Sequence, residues 1–97
     1  MRMGGAARVS SPSRSLLEFL GEEFRVERLR RHLTHGALAK ASGVSYHTIL
    51  RLERGEGITD MVDLVYIGLV LEVQATDLLR RALAEARLAG YFTAEAE

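Results

Sequence analysis

LTHGALAKASGVSYHTILRLERG, Leu33 to Gly55, decides the fold of this chain. Thr34 stands just before a stretch of small and helix-forming residues, where its hydroxyl can accept one of the backbone N–H groups a helix leaves free at its start. Leu38 and Ala39 give that stretch, His35 to Ser42, an apolar face. Gly43 then ends it where the chain needs a left-handed residue. Ser45 caps a second helix, in which Ile49 and Leu52 point inward at i, i+3 spacing. Tyr46, His47, Leu50, Arg51 and Arg54 remain on the opposite face. The link between the two is so short that the helices must cross steeply, leaving the outer face of the second to protrude. This is the pattern of a helix-turn-helix, and a protruding polar helix fits the major groove of double-stranded DNA.

Position by position, the segment resembles the Cro/repressor-type (Xre) family of helix-turn-helix proteins. Leu33-Thr34, Leu38-Ala39, Gly43-Val44-Ser45, and Ile49 with Glu53-Arg54-Gly55 match its central motif. Arg25 and Arg28 match an Arg-x-x-Arg in its first helix, and Leu64, Ile67, Leu71 and Val73 match its fourth helix and exit. The resemblance extends from about Leu20 to Leu79. It implies an all-α fold, a compact five-helix bundle of the lambda-repressor-like DNA-binding type. Two positions depart from the family: His35 stands in place of Gln and Glu27 in place of Leu. The second departure leaves Val26 and Leu29 to take over part of the packing of the first helix.

The resemblance assigns base reading to Tyr46, His47 and Arg51. Of these, Arg51 can donate two parallel bonds to guanine N7 and O6. Thr34, His35, Lys40, Ser45, Thr48 and Arg54 suit the phosphate backbone, which is approached by hydroxyls, cations and helix N-termini. Arg28 and Glu53 occupy positions that in the family form a partly buried ion pair, tying the first helix to the third. Arg2, Arg8 and Arg14 either lie along a minor groove or belong to a terminus without function.

The remaining chain organises around this motif. Residues 1–14, rich in Gly, Ala, Ser and Arg and holding the single proline, read as a flexible basic N-terminal arm. Ser15 and Glu18 form a capping-box pattern, so the DNA-binding domain spans 15–89, with helices at about 16–31, 35–42, 46–54, 60–71 and 75–89. Gly21 costs the first helix about 1 kcal/mol relative to alanine and leaves room for a break. Thr59 or Asp60 caps the fourth helix, and 90–97 form a C-terminal tail.

The 97 residues make one domain with little surplus for a second function. The absence of cysteine excludes disulfides and thiolate metal sites and agrees with a cytoplasmic location. No stretch approaches the ~20 apolar residues of a membrane span, so no membrane partner is expected. The net charge of zero conceals a division: residues 1–54 carry ten Lys/Arg against five Asp/Glu, and residues 55–97 carry three against eight. The basic half holds the motif. His32 and His35 are separated by the start of a helix at Thr34 and lack a third ligand, so no metal site is expected. No catalytic set and no cofactor-binding loop are visible, and an enzyme is not expected.

Helices four and five carry more apolar residues than so small a domain can bury. A second subunit contacting Val65, Leu69, Val70, Leu79 and Leu83 is the expected cover, the alternative being the arm or the tail Tyr91-Phe92 folded back. The expected function is a dimeric, sequence-specific transcriptional regulator, a repressor on a palindromic operator like phage repressors, Cro proteins or restriction-modification controllers. The alternative is a protein-interaction module, such as an antitoxin, whose main partner is another protein.

Overall fold

The computed structural model describes residues 6–90, with side chains described from Leu16 onward. Its five helices are α1 (Ala6–Arg30), α2 (His35–Ser42), α3 (Tyr46–Glu53), α4 (Met61–Leu71) and α5 (Ala75–Leu88). Each boundary has a local chemical cause. Thr34 Oγ1 accepts from Ala37 N at 3.0 Å, Ser45 Oγ from Thr48 N at 3.1 Å and an Asp60 carboxylate oxygen from Val62 N at 2.9 Å, so α2, α3 and α4 all start on side-chain caps. Of the two candidates for the fourth helix, Asp60 is the cap. Gly43 ends α2 at φ 76°, its N–H donating to Ala39 O at 2.9 Å.

The structure corrects the N-terminal boundary. The helix expected to begin near Leu16 begins at Ala6, so residues 6–14 are helical rather than a loose arm. Ala6, Ala7 and Arg8 are strong helix formers, and the helix they open continues through Pro12 even though proline lacks the N–H to bond the preceding turn. Residues 1–5 of the expected arm, Arg2 included, lie outside the described residues, as do residues 91–97 of the expected tail, with Tyr91 and Phe92. Arg8 and Arg14 sit on α1, so an arm laid in a minor groove would have to be helical at both.

Gly21 does not break α1. A Cβ there would run into the carbonyl oxygen of Leu52 and come 2.8 Å from that of Glu53. Glycine lets the backbones of α1 and α3 touch, and that contact explains a residue that lowers helix propensity.

α1 packs chiefly against α5 and α3, and α2 against α4 and α3. Leu20 and Phe24 of α1, Leu38 of α2, Ile49 and Leu52 of α3 and Ile67 of α4 form one core with Leu71 and Leu78. The inward positions expected for Ile49 and Leu52 are therefore observed. Val26 and Leu29 do not join them: both are exposed, because they lie far around the helix from Leu20 and Phe24. Glu27 lies on the inner side and is 3% exposed. Arg30 at 2.9 Å, Arg31 at 3.5 Å and Arg81 of α5 at 3.3 Å surround its carboxylate. A leucine position is thus filled by an ion cluster joining α1 to α5.

α4 buries Leu64, Ile67, Gly68 and Leu71. Its other side presents Met61, Val62, Val65, Tyr66 and Leu69, between 48% and 67% exposed. Spacings of four residues align Met61, Val65 and Leu69 in one stripe. Among the residues expected to form a dimer interface, Val65, Leu69 and Leu79 are exposed. Val70, packed against the core, and Leu83 are half-buried and offer a partner less surface.

Candidate nucleic-acid interface

α3 has one apolar and one polar side. With Ile49 and Leu52 in the core, Tyr46, His47 and Arg51 are left in solvent, and Leu50, between them, is half-buried. The first turns of α2 and α3 are neighbours, since the rings of His35 and Tyr46, the first residue of each helix, meet edge to face with centroids 6.2 Å apart. The N–H groups of His35 and Gly36 precede the first bond of α2, from Leu38 N to Thr34 O, and those of Tyr46 and His47 precede the first of α3, from Ile49 N to Ser45 O. Two helix N-termini whose first donors have no partner among the described residues, beside an exposed polar helix, make a surface that attracts phosphate.

The other expected DNA contacts fall into two groups. Thr34, Ser45 and Thr48 use their hydroxyls inside the protein: Thr34 and Ser45 as caps, and Ser45 Oγ also with Thr48 Oγ1 at 2.8 Å. A hydroxyl that accepts a cap bond still has a proton or lone pair for a phosphate. Lys40 and Arg54 are exposed, at the last turn of α2 and the C-cap of α3, away from the two N-termini in sequence. Arg51 is accompanied by Glu56, whose carboxylate lies 3.9 Å from Nε.

Behind this face stands the expected ion pair. Arg28 grips Glu53 with two bonds, Nε to Oε2 at 2.7 Å and Nη2 to Oε1 at 3.0 Å, and its Nη1 donates to Leu33 O at 2.7 Å. Both side chains are over nine-tenths buried. The guanidinium therefore joins the end of α1, the link before α2 and the end of α3, which sets where the polar face points. His35 differs from the expectation of a simple phosphate contact, since its Nε2 lies 2.9 Å from Glu53 Oε1. Sequence reasoning missed that bond and the Arg81 contact of the Glu27 cluster, because each joins residues far apart along the chain. Only the charged residue at a leucine position hinted at the second.

Residues 20–83 match the family model of the helix-turn-helix domain. The chain belongs to the helix-turn-helix family. It is a helix-turn-helix DNA-binding protein whose motif is α2, the Gly43 turn and α3. A similar solved structure is that of the clp gene regulator ClgR from Corynebacterium glutamicum, at 31% identity and TM-score 0.67, covering 76% of this chain and 79% of that one. No curated protein sequence matches the chain. Among the described residues, no helix of this helix-turn-helix protein is long and apolar enough to cross a membrane.

Proposed function

We propose that this protein is a transcriptional regulator that lays α3 in the major groove and binds an inverted repeat as a homodimer, repressing the genes beside it. The observation that carries the reading is the outer face of α3, with Tyr46, His47 and Arg51 exposed and flanked by the open N-termini of α2 and α3. Arg51 reads guanine, Tyr46 and His47 read neighbouring base edges, and Thr34, Lys40, Ser45, Thr48 and Arg54 follow the phosphates. The similarity to a gene regulator supports the regulatory role.

The uncovered stripe of α4 supports a dimer. A two-fold dimer presents two reading helices to one side of the duplex, so half-site centres about 34 Å apart are expected. Selection of bound sites from random DNA tests the reading: an inverted repeat is expected, and asymmetric single sites or no selection overturn it. A reporter carrying the selected site beside its promoter then tests repression, with raised expression as the contrary result. The same α4 stripe favours a second reading, a protein-interaction module with another protein on this face. A protein that sediments as a monomer at high concentration and selects no DNA would support that reading over the first.

A further inference from the structure

The ion network behind the reading helix does not stop at Glu53. Glu53 Oε1 accepts from Arg28 Nη2 and also lies 2.9 Å from His35 Nε2. A carboxylate clasped by a guanidinium has no proton to give, so His35 is the donor. The bond thereby selects the ring nitrogen that carries hydrogen and fixes the rotation of the imidazole. The ring faces Tyr46 at 86°, and Tyr46 in turn meets His47 at 5.8 Å and 79°. Tyr46 opens α3, is 47% exposed, and its phenol has no hydrogen-bond partner among the described residues. The two ring contacts therefore help to fix its pose. Edge-to-face contact is the favoured geometry of aromatic pairs and discriminates among the rotamers open to an exposed ring.

We propose that His35 is a positioning residue for base reading: anchored by Glu53, it holds the Tyr46 ring in the pose that α3 offers to the groove. The inference rests on the reading of α3 as the groove helix. It makes His35 a determinant of sequence preference without contact to a base. The pair that fixes the direction of α3 then also fixes, through one more side chain, the direction of its first reading residue.

The test uses the full chain and the inverted repeat it selects, with each base pair varied singly. His35→Gln keeps an N–H donor for Glu53 and removes the ring; Tyr46→Ala removes what the ring positions. His35→Gln should lose roughly tenfold of discrimination at the base pairs where Tyr46→Ala loses it, and nowhere else. The double variant should lose no more than Tyr46→Ala alone. The salt dependence and denaturant stability of His35→Gln should match the unsubstituted protein. A phosphate contact would behave otherwise, weakening all sequences alike and reducing the salt slope by about one. That uniform loss, additive losses in the double variant, or unchanged discrimination each overturn the proposal while leaving the groove reading intact. An unsubstituted protein that selects no site overturns both.

Discussion

The outward faces of α3 and α4 belong to helices that bury their other sides in one core, yet their chemistry is opposed. α3 offers an imidazole, a phenol and a guanidinium, all well hydrated; α4 offers Met61, Val65 and Leu69, which are not. Exposure alone therefore says little about either. A polar face is stable in water and becomes informative through what its donors can reach. An apolar face costs about 25 cal/mol for each Å² left in water, and becomes informative because something should cover it. Two faces, one for a polyanion and one for a protein surface, are what a dimeric DNA reader needs.

The largest expected effect removes the element that orients the face of α3. Arg28→Ala leaves Glu53 buried without its guanidinium and should destabilise the fold by about 3–5 kcal/mol in denaturant unfolding. A loss well under 1 kcal/mol would mean the α3 face is not oriented by this pair. Leu69→Glu separates the faces: sedimentation should show a folded monomer, and affinity for the inverted repeat should fall about a hundredfold, since the second half-site no longer comes with the first. Unfolding instead of dissociation would make the α4 stripe part of the core. Arg51→Ala should cost about 1–3 kcal/mol of binding and relax preference at one base pair, whereas Lys40→Ala should weaken all sequences alike and flatten the salt slope. Equal loss of specificity in both would erase the division of α3 and α2 into reading and holding groups.

The smallest effect is a control placed away from both faces. Burial and the neighbouring Glu85 carboxylate hold the Glu23 pKa above its ordinary value, against the pull of Arg81 at 3.7 Å. The folded protein thus binds this proton more tightly than the unfolded chain. Its stabilising contribution is full below the unfolded glutamate range and is lost as pH rises through the raised folded value. Glu23→Gln should therefore be slightly more stable than the unsubstituted protein at neutral pH, with the gain disappearing on acidification and DNA binding unchanged. A gain that grows on acidification would contradict the sign.

What was legible in the sequence is what depends on neighbours along the chain. Thr34, Gly43 and Ser45 act on backbone groups within three or four residues, so the motif could be located to the residue. The periodicity that sends Ile49 and Leu52 inward is equally local. The apolar excess of α4 could be read as surplus, though not how far each residue would face out; Val70 is half-buried because it lies beside Ile67 and Leu71 on the helix. Glu27 was unreadable, since one of its partners, Arg81, reaches it from the last helix. The same holds for His35, whose ring chemistry suits a phosphate as well as a carboxylate until Glu53 is seen beside it. The start of α1 was missed because proline and serine outweighed the alanines in a reading based on propensity.

The contact of Gly21 with the Leu52 and Glu53 carbonyls has an evolutionary consequence. Because main chain rests on main chain there, α3 is located without help from its outward side chains. Positions 46, 47 and 51 can then change identity while the helix keeps its seat. The scaffold behaves as a socket and the outer face as an exchangeable key, so new DNA targets are open to this protein by substitutions that leave its folding untouched. A change at residue 21 has the opposite reach: any side chain there shifts the seat itself and alters every position of the key together.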